Sequence, residues 1–210
     1  MSRKMRQYVY TNPKGEPRIS KVRYEPKAFR MFSWITSERK PEGGFWVPKI
    51  RDNRLAFSER AMYRLPELLQ ALRSNRRVAW CEGEKDADAL VSVGVAATSH
   101  WQGASEVHIC QASWFTRGTG RIYIVVDVDE AGAYSGCLRY DALCRVGVDR
   151  SRLRIVAPPH PHTDAAEAVE AGLRLRDFRR VPLSRLRPVA ASYLAQRQAR
   201  RGSSDWQSAS

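Results

Sequence analysis

The sequence lacks the motifs of several common protein classes. Its four cysteines are scattered and form no Cys-x-x-Cys pair, which argues against a structural zinc site and is typical of a reducing cytoplasm. No apolar run approaches the ~20 residues of a membrane span, and the basic N-terminus has no signal-peptide pattern. No Gly-x-x-x-x-Gly-Lys-Ser/Thr loop is present, which excludes an ATPase or helicase of that type. We therefore predict a cytoplasmic protein without a membrane partner.

Acidic residues are also few. The 210 residues include 36 Lys and Arg but only 22 Asp and Glu, which gives a net charge of +14. This excess predicts a polyanionic partner, most simply nucleic acid, and the alternative is a generally basic protein without one. The length is enough for one medium domain with a smaller appendage.

The most informative stretch runs from Val78 to Leu90. Its apolar start, Val78 to Cys81, is too short for a helix and predicts a buried strand, whereas the residues from Lys85 onward have helical spacing. Glu82 and Gly83 lie between them in a tight turn, where glycine lets the backbone bend sharply and a ligand come close. Because the carboxyl ends of parallel strands face the ligand crevice, we expect Glu82 to belong to a site.

A second stretch supplies two more carboxylates. A β-branched strand ends at Val126 and is followed by Asp127 and Asp129. Three carboxylates at adjacent strand ends would repel one another unless a cation neutralised them. Oxygen ligands favour Mg²⁺, with Mn²⁺ as the alternative. The pattern therefore predicts a metal site formed by Glu82, Asp127 and Asp129.

Other roles for the two aspartates have to be weighed. Asp is a common helix N-cap, so one of them could cap the helix that follows, although a cap does not require both. The spacing also begins like a calcium loop, which fails at its fifth position, Ala131, and its twelfth, Leu138. A phosphatase of the haloacid dehalogenase type also has Asp-x-Asp after a strand, but Ala131 and the mid-chain position argue against it.

Strands and helices alternate through the centre of the chain. The predicted strands cover residues 78–81, 95–98, 122–126 and 153–157, and the predicted helices cover 85–93, a poorly defined one near 105–115, 134–145 and 165–171. This alternation implies an α/β fold with a parallel sheet and right-handed crossovers.

The two acidic motifs together resemble a known family. Glu82-Gly-Glu-Lys-Asp86, followed by Asp127-x-Asp129-x-Ala-Gly132, is similar to the Toprim domain of primases, topoisomerases and small nucleases. The similarity covers roughly residues 8 to 172 and is greatest to primase-like Toprim proteins of phages and mobile elements. It implies a Rossmann-like parallel sheet flanked by helices. It also implies catalytic roles for Glu82, Lys85, Asp127 and Asp129.

The same resemblance implies Asp164 as a further ligand of Mg²⁺. Asp164 with Glu167 three residues later also fits a helix capping box, so both interpretations stay open. His160 and His162 could bind a softer metal, but two histidines in a proline loop are more often simply exposed.

Two flanking regions complete the domain prediction. Residues 1–65 read as a small antiparallel β region in which basic and aromatic residues alternate, and residues 66–172 as the Toprim domain. The resemblance favours nucleic-acid binding by Arg23, Lys27 and Arg30, together with Lys85, over a sheet whose aromatics are merely buried. Residues 173–210 contain an arginine-rich stretch that binds nucleic acid or a partner, or else forms a solvated helix, before a disordered tail from Gly202.

The function implied by the resemblance is that of a DNA primase or primase subunit in phage or mobile-element replication. Such an enzyme joins ribonucleotides on a single-stranded DNA template. The alternatives are a Toprim nuclease, which uses water as the nucleophile, and a non-catalytic DNA-binding accessory protein. Full primases carry a zinc ribbon, which this sequence lacks, so we expect a separate zinc-ribbon protein or a replicative helicase as partner.

Overall fold

The computed structural model describes residues 2–37, 40–51 and 57–207, which form two β-sheets and their flanking helices. In chain order the elements are β1 (Arg3–Thr11), β2 (Pro17–Glu25), β3 (Ala28–Ser37), β4 (Lys40–Pro48), α1 (Leu65–Arg73), β5 (Val78–Trp80), α2 (Glu84–Ser92), β6 (Ala96–Thr98), α3 (Ile109–Ala112), β7 (Ile122–Val125), α4 (Glu130–Arg145), β8 (Leu153–Ala157), α5 (Ala165–Glu170), β9 (Arg179–Arg180) and α6 (Leu183–Gln207).

The first four strands form an antiparallel meander in the order β1-β2-β3-β4. The turn between β1 and β2 is fixed by Asn12, whose Oδ1 accepts hydrogen bonds from the backbone N–H groups of Lys14 and Glu16, each at 3.0 Å. Gly15 supplies the left-handed backbone that this turn needs, with φ of 87°. These contacts close the hairpin between β1 and β2, as expected of the antiparallel β region predicted near the start of the sequence.

The antiparallel sheet packs on the rest of the molecule through its tyrosines. Tyr8, Tyr10 and Ile19 are buried in one cluster with Ala61, and Tyr63 packs against it. The rings of Tyr8 and Tyr63 meet edge to face, with centroids 5.7 Å apart. This contact holds one face of the meander over the central domain.

The central sheet has five strands in the order β6-β5-β7-β8-β9. The first four are parallel, and β9 is antiparallel to β8. The predicted α/β fold with a parallel sheet is confirmed. Strand β9 was not predicted because two exposed arginines carry no apolar alternation. The residues that follow β5 and β7 must lie side by side, because these two strands are hydrogen-bonded neighbours with Trp80 opposite Ile124.

Both faces of the central sheet are covered by apolar side chains. On one face Trp80 stacks on Phe115 with ring centroids 4.8 Å apart, and Leu143 belongs to the same cluster. On the other face Cys81 and Leu90 are fully buried. Each large apolar side chain buried in this way contributes about 1.5–3 kcal/mol to stability.

Helix α6 lies along α4. Arg187 Nη2 contacts Asp141 Oδ1 at 2.8 Å, and the rings of Tyr134 and Tyr193 are 5.6 Å apart. Contrary to the disordered tail expected from Gly202, α6 continues to Gln207, and residues 208–210 lie outside the described residues. Although α6 has 25 residues, no helix in the described part of the chain is both long and apolar enough to cross a membrane.

Candidate active site

Glu82 and Asp127 come together at the carboxyl edge of the central sheet. Glu82 follows β5 and Asp127 follows β7, so the parallel pairing of these strands brings the two carboxyl groups close enough to affect one another. Burial, and then the charges of Asp86 and Glu82, raise the pKa of Asp127 to about 8. Burial also raises the pKa of Glu82, whose Oε2 is buried without a hydrogen-bond partner among the described residues. In the absence of a cation, Asp127 therefore keeps a proton at neutral pH.

Asp129 begins α4 and has a structural role. Its Oδ1 accepts a hydrogen bond from the N–H of Gly132 at 2.6 Å, so the N-cap interpretation is correct for Asp129. Gly132 is packed so closely that an added Cβ would lie 2.4 Å from the carbonyl oxygen of Asp127. The side chain of Asp129 is exposed and adds negative charge near Glu82 and Asp127.

A buried arginine lies beneath the carboxylates. Arg139, on α4, is fully buried, and its Nη1 donates hydrogen bonds to the carbonyl oxygens of Trp80 at 2.5 Å and Val125 at 2.9 Å. Its positive charge lowers the pKa of Glu82 and of Asp127, which partly offsets the effect of burial. The positive charges that lower the pKa of Glu82 are Arg139 and, to a smaller extent, Lys21, whereas Lys85 pairs with Asp164.

Asp164 and Lys85 form a pair at the edge of the site. Asp164 Oδ1 caps α5 by accepting a hydrogen bond from the N–H of Glu167 at 2.7 Å, so the capping interpretation is confirmed. Asp164 Oδ2 lies 3.3 Å from Lys85 Nζ. Asp86 ties the same two helices together, because its Oδ1 accepts a hydrogen bond from the N–H of Ala166 at 3.0 Å. Metal binding by Asp164 stays a prediction.

The donor set fits a divalent cation of the Mg²⁺ type. It consists of carboxylate oxygens, one of them buried without a partner, and the raised pKa values show that added positive charge would be favourable. Within residues 2–37, 40–51 and 57–207, however, no three His, Cys, Asp or Glu side chains approach closely enough to hold a metal ion. This set suits Mg²⁺, which usually takes one or two protein carboxylates together with water and substrate phosphate.

A buried polar network joins the N-terminal sheet to α2. Glu84 is only 3% exposed; Lys21 Nζ contacts it at 3.0 Å, and the hydroxyl of Tyr10 donates a hydrogen bond to its Oε1. This network could not be predicted from the sequence, because nothing local indicates that Lys21 on β2 meets Glu84 more than sixty residues later. The consequence is that β1 and β2 are fixed against the helix that follows Glu82.

A basic cleft opens beside this network. The cavity, about 560 Å³ in volume, is lined by Arg23, Lys27 and Lys85, together with Arg6 and Tyr8 from β1. Three of the four predicted nucleic-acid-binding residues therefore share one cleft. The fourth, Arg30, does not line it and instead lies 5.0 Å over the ring of Tyr24. We call this cavity the basic cleft.

Solved structures show the same architecture. The catalytic core of the primase DnaG matches with a TM-score of 0.56 and 18% identity, over 90% of this chain and 56% of that one. The primase fragment of the bacteriophage T7 primase-helicase matches with a TM-score of 0.52 and 19% identity, over 81% and 59%. The RNA polymerase domain of Mycobacterium tuberculosis DnaG, in complex with a double-stranded DNA oligomer with a 6-nucleotide overhang, gives 0.54 and 16%, over 89% and 60%.

These three neighbours are catalytic domains of DNA primases, so the chain has the fold of a primase catalytic core, as the Toprim resemblance predicts. The chain spans less than two thirds of the length of each of them. No family model matches the sequence, and no curated protein matches it.

Without metal, the raised pKa of Asp127 should make the protein less stable as the pH rises. The unfolded chain releases this proton near pH 4, whereas the folded protein keeps it up to about pH 8. The folded state binds more protons across this window, so the free energy of unfolding should fall as the pH rises, by an amount on the order of a few kcal/mol. Denaturant unfolding in EDTA at several pH values would measure this. Asp127→Asn should flatten the dependence, and a stability that rises over the same window would contradict the assignment.

Proposed function

We propose that the chain is a metal-dependent nucleotidyltransferase of the primase type, which extends RNA on a single-stranded DNA template. One observation carries this proposal: Lys85, on the helix that follows Glu82, lines the same cleft as Arg23 and Lys27, and the Glu84 network fixes β1 and β2 against that helix. The fold adds support, because the Mycobacterium tuberculosis neighbour is a primase domain in complex with DNA that has an overhang. We also propose a role in the replication of a phage or mobile element, and the sequence resemblance is the only support for it.

The residues of the chain divide the work between chemistry and binding. We assign to Glu82 the role of accepting the proton of the attacking 3′-hydroxyl, since its Oε2 has no hydrogen-bond partner among the described residues. Lys85 lines the cleft, pairs with Asp164 and is assigned to phosphate binding. Arg23 and Lys27 bind backbone phosphates of the strand. Arg139 positions the ends of β5 and β7 and limits the pKa of Glu82.

The metal is expected to be Mg²⁺, with Mn²⁺ as the alternative. Glu82 and Asp127 would hold it together with water and substrate phosphate, and Asp129 and Asp164 are the further candidates. When bound, the cation supplies charge neutralisation at a phosphoryl oxygen and at the leaving group.

Strand binding in the basic cleft should depend strongly on salt. Each neutralised phosphate releases counterions, so removing one contact reduces the salt slope by about 0.7 on a single strand. Arg23→Ala with Lys27→Ala should therefore weaken binding of a labelled oligonucleotide and flatten the slope by about 1.4. Fluorescence anisotropy at several salt concentrations would measure both, with Arg145→Ala and Arg150→Ala, two exposed arginines elsewhere, as the matched control. A slope that is the same in both pairs would contradict the role of this cleft.

The decisive experiment compares RNA synthesis on one single-stranded template with and without a short primer, in Mg²⁺ and in Mn²⁺. We expect extension to be clearly easier than initiation, because nothing among the described residues corresponds to a zinc ribbon that would choose a start site. A separate zinc-ribbon protein or replicative helicase should restore initiation. Degradation of the template without synthesis would identify a nuclease instead. Metal-independent binding with neither reaction would indicate an accessory DNA-binding protein.

A further inference from the structure

Four arginines converge at the edge of the central sheet that lies opposite the carboxylates. Arg76 and Arg77 come from the loop after α1, and Arg174 and Arg176 come from the turn after α5. They line a cavity of about 600 Å³, which is closed on a third side by the turn at residues 93–95. We call this cavity the arginine pocket.

The charges in the arginine pocket are not neutralised by the protein. Among the described residues, no hydrogen bond or ion pair engages the guanidinium groups of Arg76, Arg77 or Arg174. Arg176 reaches only Asp177, at a distance of 3.8 Å. All four side chains are exposed, and no acidic residue lines the cavity. Like charges gathered in this way repel one another until an anion joins them.

The arginine pocket is held by rigid backbone. The N–H of Thr119 donates a hydrogen bond to Asn75 Oδ1 at 2.8 Å, which fixes the loop before Arg76. Gly120 packs so tightly on this loop that an added Cβ would lie 2.3 Å from the carbonyl oxygen of Arg76. On the other side, the N–H of Arg174 donates to Asp177 Oδ2 at 2.8 Å. A binding site whose backbone is fixed in advance loses less entropy when a ligand binds.

Neutralising the end of α1 does not account for these arginines. Basic side chains often stabilise the C-terminal end of a helix by interacting with its last carbonyl groups. In α1, however, the last carbonyl groups already accept hydrogen bonds from the backbone. The N–H of Ser74 donates to the carbonyl oxygen of Gln70, that of Asn75 to Leu72, and that of Arg76 to Ala71. The guanidinium groups of the arginine pocket are left for a ligand from solution.

We propose that the arginine pocket is a second phosphate-binding site, separate from the carboxylate site. Guanidinium groups match phosphate oxygens in charge and in geometry, because each can donate two parallel hydrogen bonds. The phosphates can come from consecutive positions of a nucleic-acid strand or from the polyphosphate of a free nucleotide. Arg77 immediately precedes β5 and Glu82 follows it, so the two sites are roughly 15 Å apart along an extended strand. Binding in the arginine pocket should therefore not require the metal.

The test compares two charge-matched double variants in EDTA. Arg76→Gln with Arg174→Gln removes two charges from the arginine pocket, and Arg145→Gln with Arg150→Gln removes two exposed charges elsewhere. The probes are a labelled single-stranded oligonucleotide, inorganic pyrophosphate and ATP. The first variant should bind at least one probe roughly tenfold more weakly than the control variant, as expected for loss of charge-assisted hydrogen bonds. Weaker oligonucleotide binding alone identifies the strand as the source, and weaker ATP or pyrophosphate binding identifies the free polyphosphate.

Equal binding of all three probes by the two double variants would overturn the inference. Melting temperatures establish whether both double variants fold. If Arg76→Gln with Arg174→Gln does not fold, Arg77→Gln with Arg176→Gln replaces it. The Arg23→Ala, Lys27→Ala variant separates this outcome from failure of the proposed function. Because the two sites are distant, the losses of binding affinity should add. If the Arg23→Ala, Lys27→Ala variant binds the oligonucleotide more weakly and the arginine-pocket variant does not, the proposed function stands and only the second phosphate site is refuted.

Discussion

Replacement of Glu82 by Gln or of Asp127 by Asn should abolish metal-dependent nucleotide incorporation. Both residues contribute oxygen atoms at the carboxyl edge of the sheet, and each substitution replaces a carboxyl group that a cation would ionise by an amide of similar size that stays neutral. We expect a loss of roughly 10²–10⁴-fold, which is the range that positioned acid–base groups supply, and more if cation binding is also lost. Primer extension under single-turnover conditions would measure it, with Glu170→Gln, an exposed carboxyl group without a partner among the described residues, as the control.

The same variants should not weaken the fold. Burial and neighbouring carboxylates raise the pKa of Asp127 to about 8, so its charged form destabilises the folded state when no cation is present. In EDTA above about pH 8, the free energy of unfolding of Asp127→Asn should therefore equal or exceed that of the unmodified chain. Full activity in both variants would refute the site, whereas loss of activity together with unfolding would mean that the carboxylates are structural.

Local sequence patterns were sufficient to predict the four parallel strands of the central sheet. Short β-branched runs alternate with segments of helical spacing, and this alternation leads to the parallel sheet that the structure contains. The position of Glu82 and Asp127 followed from the same argument, because residues just after neighbouring parallel strands have to meet. The caps at Asp129 and Asp164 were also recognisable, since the bonds involved span only three residues.

The remaining parts of the site depend on contacts between distant segments. Lys21 and Glu84 are charged residues that would normally be exposed, and only the packing of the meander over α2 buries them together. Arg139 lies in the middle of α4, where its charge carries no sequence signal for a buried position. The four arginines of the arginine pocket are spread over a hundred residues and meet because the loop after α1 and the turn after α5 reach the same edge.

The largest loss of stability should follow the replacement of Arg139 by Met. The methionine side chain fills a similar volume, but it leaves the carbonyl oxygens of Trp80 and Val125 without the donor that now joins β5 to β7. It also removes the positive charge that lowers the pKa of Glu82. Each buried carbonyl group left without its donor costs about 1–3 kcal/mol, so the loss of both hydrogen bonds costs about 2–6 kcal/mol. Denaturant unfolding should show a loss in this range, and a change below about 1 kcal/mol would contradict the arrangement.

Arg139→Lys separates the charge of Arg139 from its geometry. Lysine keeps the positive charge but lacks the planar fork of the guanidinium group, so stability should be intermediate between that of the Met variant and that of the unmodified chain. The positive charge of Arg139 lowers the pKa of both Glu82 and Asp127. In the Met variant these values should rise, so the acidic limb of the pH–activity profile should move to higher pH, and in the Lys variant it should move less. A residue with a purely structural role would lower activity at every pH without moving the limb, and that result would exclude control of the carboxylates by Arg139.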